Sequence, residues 1–281
     1  MDYHPDFHLA ARPRSGWKAL AELALLAVAF IGLQVLAVLA LGLINPGAVE
    51  ESVATGGAGA FDIFAIALSL PAAFVAARLT GRDPGALLSV ERRVRWPLVG
   101  RALAVAAPVY AVVAAVDLAS EEVTLTAGTL LTAAVFLAVV PLQAATEEAV
   151  FRGALPQIVG NWIRSPWLAY GAAAAPFVAL HIYNWIGLVD VLVICLCLSY
   201  LTWRSGGLEQ AIVVHACSNL SVFIPQALRP GVLPTTDIGW AEGLGTALLT
   251  VAVTAAVARW GGSASAQALP SGLTATRPGS R

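Results

Sequence analysis

The sequence predicts an all-α polytopic membrane protein of about eight transmembrane helices. Three observations carry this. Hydrophobic residues make up 58% of the 281 and charged residues 12%, where an average soluble chain carries about 25% charged residues. Apolar runs long enough to cross a bilayer recur along the chain, separated by short polar loops. The basic residues gather in alternate loops, as expected of spans that weave in and out of a membrane.

The first predicted helix covers Ala19 to Ile44, too long for the apolar core of a signal peptide, and Asn45-Pro46-Gly47 ends it. The second runs from about Phe61 to Leu79 with a kink expected at Pro71. The third spans about Pro97 to Val116, and the fourth starts near Thr126. The fifth covers about Trp167 to Trp185, the sixth Gly187 to Trp203, the seventh Leu208 to Leu228 and the eighth Glu242 to Trp260. Five regions follow: an N-terminal segment, 1–18, expected to be loose; helices one to three, 19–125; helices four to seven, 126–228; a loop and the last helix, 229–260; and a Ser/Gly/Pro-rich tail, 261–281, expected to be disordered. Arginine and the single lysine, Lys18, accumulate in the N-terminus, in the loops after helices two, four and six, and in the tail, whereas Arg229 alone lies in an opposite loop. The positive-inside rule therefore puts both termini in the cytoplasm. The bias toward alanine, and toward arginine over lysine, suggests a GC-rich bacterial genome and hence a bacterial plasma membrane.

A net charge of −1 gives no reason to expect nucleic acid; the expected partners are the lipid bilayer and a hydrophobic or membrane-associated peptide. Cys195, Cys197 and Cys217 sit in apolar runs and read as small apolar residues rather than as a disulfide or zinc framework. His4 and His8 read as solvated, and so does Asp190 near the end of helix six.

The chain is organised around Thr146-Glu147-Glu148-Ala149-Val150-Phe151-Arg152-Gly153, at the end of the apolar run Leu130 to Ala145. One ionisable residue at bilayer depth costs roughly 2.5–3.5 kcal/mol, so three together must face protein or water. Glu148 and Arg152, four apart, share a helix face and can pair. Glu147 is turned about 100° away and need not join them. His181 lies four residues after Phe177, and His215 four before Asn219. If helix five enters the core near Gly171 and helix seven near Gly207, the two histidines lie at about 15 Å and 12 Å depth. Helix four either continues past Gly153 or is bent by Pro141, Gly153 and Pro156.

Peptide hydrolysis needs an activated water, a proton for the leaving amine and donors for the developing oxyanion. Glu147 is the candidate base, with His181 sharing the water and His215 and Asn219 as donors. The same residues allow a metal version, with Glu147, His181 and His215 holding Zn²⁺ and a water in an open position. Asparagine is outside the usual zinc set, which favours chemistry without a cofactor, and no H-E-x-x-H helix is present.

Glu-Glu-x-x-x-Arg, Phe-x-x-x-His and His-x-x-x-Asn, each on its own transmembrane segment and in this order between about Thr126 and Pro225, resemble the CPBP intramembrane proteases, which include the CAAX prenyl endopeptidases and the bacteriocin-processing Abi relatives. The resemblance implies an intramembrane endopeptidase with Glu147 as the water-activating carboxylate and His181 beside that water. His215 and Asn219 become transition-state donors or metal ligands, and Glu148 and Arg152 support the site. Two other readings remain: a non-catalytic immunity or scaffold member of the same fold, and a proton-coupled transporter. A transporter is expected to spread functional acids through both halves with repeat symmetry, which this sequence does not show.

Overall fold

A computed structural model describes residues 7–12, 14–47, 50, 60–232 and 235–261. Ten α-helices are named here: α1 (Gly16–Ile44), α2 (Ala60–Leu68), α3 (Pro71–Leu79), α4 (Trp96–Ser120), α5 (Ala127–Glu148), α6 (Leu155–Val159), α7 (Pro166–Ala179), α8 (Trp185–Ser205), α9 (Glu209–Ala227) and α10 (Trp240–Gly261). They make eight segments, because α2 and α3 are one broken rod and α5 runs into α6 through a π-helical turn, Ala149–Ala154. Most of the Gly-rich stretch after α1 and the 262–281 tail lie outside the described residues.

The break between α2 and α3 has a local cause. Pro71 brings no N–H, and Ser69 turns its hydroxyl back to the Ile66 carbonyl at 2.7 Å, so the chain restarts with Pro71 at the first helical position. Six segments, Gly16–Ile44, Phe61–Leu79, Trp96–Ser120, Ala127–Val159, Trp185–Ser205 and Trp240–Trp260, are long and apolar enough to cross a membrane. The other two are α7, whose 14 residues rise about 21 Å against a hydrocarbon core of about 30 Å, and α9, which carries the polar residues His215 and Asn219. The bundle wears leucine and valine outward, and exposed tryptophans mark its ends: Trp17, Trp96, Trp167 and Trp260 at one, Trp185 and Trp240 at the other. That is the belt expected where a bilayer meets water.

The loops sort between the two ends as their charges foretell. At the arginine-rich end, Ser89 bridges Gly207 in antiparallel fashion, and the Arg95 guanidinium donates to both Glu209 carboxylate oxygens at 2.8 and 2.7 Å. Gln157 donates to the Ala86 carbonyl at 2.8 Å at the same end. At the opposite end Arg229 donates to Asp117 at 2.9 Å, and Asn184 binds the Ile238 carbonyl.

Within the N-terminal segment, the described residues 7–12 depart from expectation. Phe7 and His8 are buried, and His8 Nε2 lies 2.8 Å from the Arg164 carbonyl oxygen. Only a glycine at 160 leaves room for this docking, since a Cβ there would stand 2.0 Å from the His8 carbonyl oxygen. A histidine read as solvated thus ties residues 7–11 to the α6–α7 connection.

α9 is the central element, packed against α4, α5, α8 and α10. α1 covers the α2–α3 rod, and α5 lies against α2. The apolar cores on the two sides of α9 are formed by Leu198, Leu201, Val214 and Val257, and by Phe136, Val140 and Ala227.

Candidate active site

The site grows from the point where α5 gives way to the π-helical turn. Thr146 through Ala154 are all buried, so this stretch faces protein on every side. The fourth predicted helix therefore continues past Gly153 rather than ending at a surface, and it reaches Val159. Gly153 allows the approach of the 84–87 loop, because a Cβ there would stand 3.3 Å from the Leu87 carbonyl oxygen. π-turns inside α-helices recur at functional sites. Here one lies directly after two consecutive carboxylates.

Glu148 and Arg152 pair within the segment, Nη1 to Oε1 at 3.0 Å, with both side chains fully buried. The same Glu148 oxygen lies 2.7 Å from His215 Nδ1 on α9. The other nitrogen of that ring, Nε2, lies 3.4 Å from Oε2 of Glu147. Glu147 is turned away from the Glu148–Arg152 pair, as its spacing allows: helical rotation separates the two carboxylates by about 100°, and His215 enters the angle between them. A carboxylate at Nδ1 holds the proton on that nitrogen and fixes the ring plane. Nε2 is then the working atom, facing Glu147.

Asn219, one turn beyond His215, donates from Nδ2 to Oε1 of Gln143 at 3.0 Å. Gln143 is buried and lies one turn before Glu147 on α5. Two i,i+4 pairs, Gln143/Glu147 and His215/Asn219, thus face one another across the α5–α9 interface. Sequence reasoning missed Gln143; its signal was an amide four residues before the first glutamate in an otherwise apolar run.

His181 is not on a helix. α7 ends at Ala179, and the His181 Nδ1 lies 2.8 Å from the Phe177 carbonyl oxygen. That oxygen is one of the carbonyls a helix C-terminus leaves without an intrahelical partner, so His181 terminates α7 with its own side chain. A carbonyl only accepts, so Nδ1 carries the hydrogen and Nε2 is free. Asn184 then starts α8 by accepting from the Gly187 N–H at 3.0 Å.

Phe177 holds these parts at fixed separations. Its ring centroid lies 4.8 Å from that of His181 and 6.4 Å from that of His215, and the Arg152 guanidinium stands 4.1 Å over its face, a cation–π contact. Asp190, read as solvated, is half-buried, and its Oδ1 is shielded from solvent. It lies in the second turn of α8. The three cysteines are free, with Cys195 and Cys217 buried.

Both histidines have Nδ1 held by an oxygen acceptor, as many metal-ligating histidines do. Among the described residues, however, no three His, Cys, Asp or Glu side chains converge as a metal site.

Residues 128–221 match the family model described as type II CAAX prenyl endopeptidase Rce1-like. The match begins at the start of α5 and ends inside α9, so it holds every site residue named above. It is the family that the three motifs resemble, and the similarity is to this part of the chain. No curated protein and no solved structure gave a significant match.

Proposed function

We propose that this protein is an intramembrane endopeptidase that hydrolyses peptide bonds of membrane-associated substrates with a water activated by Glu147. The observation that carries the proposal is the placement of His215 between Glu147 and the Glu148–Arg152 pair. Arg152 anchors Glu148, Glu148 anchors the Nδ1–H of His215, and Nε2 is presented beside the one carboxylate with no arginine partner.

In the reaction, Glu147 takes a proton from water, with the free Nε2 of His181 accepting the water's second hydrogen. The hydroxyl oxygen bonds to the peptide carbonyl carbon, and the carbonyl π pair moves to oxygen. That oxyanion accepts from Asn219 Nδ2–H and from the protonated Nε2 of His215, whose positive charge Glu148 offsets from the far side of the ring. The C–N bond then breaks as the proton held by Glu147 passes to the departing amine. Gln143 engages one hydrogen of the Asn219 amide and leaves the other for the oxyanion. Glu148 and Arg152 support the site without touching substrate.

The arginine-rich end faces the cytoplasm under the positive-inside rule, in a bacterial plasma membrane. The test is cleavage of a membrane-embedded peptide by reconstituted protein, read by mass spectrometry of the products. Wild type is expected to cleave, and Glu147→Gln, folded to the same thermal midpoint, to give no product. Cleavage by Glu147→Gln at the wild-type rate would refute the mechanism.

A further inference from the structure

Glu147 and His215 stand on different helices, and the 3.4 Å between them depends on how α5 and α9 are held relative to one another. Around the site these helices meet through the reacting groups and their partners, His215 with Glu148 and Asn219 with Gln143. Toward the arginine-rich end a third segment joins them. It is the connection between α3 and α4, which lies outside residues 128–221.

Three consecutive carbonyls of this connection meet the two catalytic segments in turn. The Ala86 carbonyl accepts from Gln157 Nε2 on α6 at 2.8 Å. The Leu87 carbonyl lies against Gly153 in the π-helical turn, 3.3 Å from where a Cβ would stand. The Leu88 carbonyl accepts from the Leu208 N–H at 2.9 Å, at the start of α9. Neighbouring Cα atoms are about 3.8 Å apart across a trans peptide, so covalent geometry sets the separation of these attachments. Further bonds fasten the α9 side. The Val90 N–H donates to the Gly206 carbonyl at 2.8 Å. Arg95, the N-cap residue of α4, holds the Glu209 carboxylate with Nε, Nη2 and its backbone N–H at 2.8, 2.7 and 2.9 Å. Its Nη1 donates to the Ser205 carbonyl at 2.7 Å, which ties the last turn of α8 to the same point.

The connection is also stiff in itself. Asp83 accepts from the Gly85 N–H at 2.9 Å. The buried Ser89 hydroxyl donates to the Arg93 carbonyl at 2.7 Å and accepts from the Glu91 N–H at 3.2 Å. Gln157 is fully buried, and Arg95 and Glu209 nearly so, so water does not compete for their bonds. A buried ion pair adds little net stability over apolar residues of the same volume. What a two-pronged arginine–carboxylate pair does add is a fixed geometry. His215 lies about 9 Å along α9 from Glu209, and Glu147 about two turns from Gly153, so a shift of the connection reaches both reacting groups through helix.

We propose that residues 86–95 are a brace that sets the spacing of Glu147 and His215, with Arg95, Glu209 and Gln157 as positioning residues, an assignment that rests on the peptidase reading above.

The test uses the full chain, reconstituted, with cleavage measured at a temperature where thermal unfolding shows each protein folded. Arg95→Gln combined with Glu209→Gln removes both charges, so neither is left stranded. This double variant should lower kcat by about tenfold or more with KM within about twofold, since a misplacement of about 1 Å can cost 10²-fold. Arg95→Lys keeps the charge without the two-pronged hold and should lose less. Asp117→Asn combined with Arg229→Gln dissolves the ion pair that joins the far ends of α4 and α9, and should leave kcat unchanged. Should the first double variant not fold, Gln157→Met carries the test; it gives up only the bond to Ala86, and kcat should fall roughly fivefold. Spin labels on unnatural residues at Leu142 and Val222, exposed on α5 and α9, read the helix spacing without any reaction. Their distance distribution should shift or broaden in the brace variants and match wild type in the Asp117/Arg229 control. Wild-type kcat in a folded brace variant, a change in KM alone, an equal loss in the control, or an unaltered distance distribution overturns the brace. A wild type that cleaves nothing would sink the peptidase reading, and the distance distribution would then decide the brace by itself.

Discussion

Nδ1 of His215 lies 2.7 Å from Oε1 of Glu148, and that oxygen also accepts from Arg152. One carboxylate atom thus serves an arginine four residues along its own chain and an imidazole on another helix. Glu148 and Arg152 are fully buried. Removing one partner of such a pair strands the other charge, at roughly 3–5 kcal/mol.

Glu148→Gln and Arg152→Ala should each lower the thermal midpoint and the folded yield along with cleavage. In a double-mutant cycle the loss for Glu148→Gln with Arg152→Ala should be smaller than the sum of the single losses, because neither charge is then left alone. Additive losses in detergent unfolding would show that the two side chains do not act as a pair.

Gln143 should act on turnover through Asn219. Asn219→Ala removes a proposed oxyanion donor, and such a loss typically costs about 10²–10³ in kcat. Gln143→Ala removes only the bond that aims it, a net hydrogen bond of about 1 kcal/mol, so kcat should fall roughly fivefold with KM little changed. A Gln143→Glu protein retains an acceptor and should recover part of the rate. An effect on KM alone would place Gln143 in substrate binding instead.

Metal removal separates the two chemistries the sequence allows. Cleavage should persist after dialysis against a chelator, and His181→Ala and His215→Ala should lose activity with no change in metal content by elemental analysis. Stoichiometric zinc in wild type, lost in both variants together with cleavage, would transfer Glu147, His181 and His215 to a metal-ligand role.

What the sequence made legible is what lies within one helix. The Glu148–Arg152 pair follows from a spacing of four, and the kink at Pro71 follows from a missing N–H. The sorting of loops follows from charge. What it hid depends on how helices rotate against one another. Nothing in the spacing of Glu147 and Glu148 says that a histidine 67 residues on will fill the angle between them. The Gln143–Asn219 bond crosses the same interface. The early end of α7 was missed because Phe177 and His181 at a spacing of four read as two turns of one helix, whereas the histidine caps the carbonyl of the phenylalanine. His8 looked solvated because the partner that buries it, the backbone at Arg164, has no sequence signature.

Topology offers an independent check. Reporter fusions after Gly47 and after Arg93 are separated by the α2–α3 rod and should report opposite sides of the membrane, with the Arg93 fusion cytoplasmic. The same side for both would mean that the rod does not cross, which its break at Ser69 and Leu70 makes the most exposed point of the arrangement.

The last prediction concerns Glu147 and His215 as one unit. Their facing atoms lie 3.4 Å apart, longer than a good hydrogen bond yet close enough for a proton to be shared once substrate tightens the site. If the proton Glu147 takes from water and the positive charge on His215 belong to one transition state, either loss already removes most of the stabilisation. Glu147→Gln and His215→Ala should each lower kcat/KM by about 10³-fold or more, and the double variant should be no more than about tenfold worse than the poorer single. Each protein must first match wild type in thermal unfolding, so that a folding defect is not read as a catalytic one. Losses that multiply, with the double variant down by the product of the two, would mean that the two residues act in separate steps. Glu147 would then keep the water without His215 taking part in the same event.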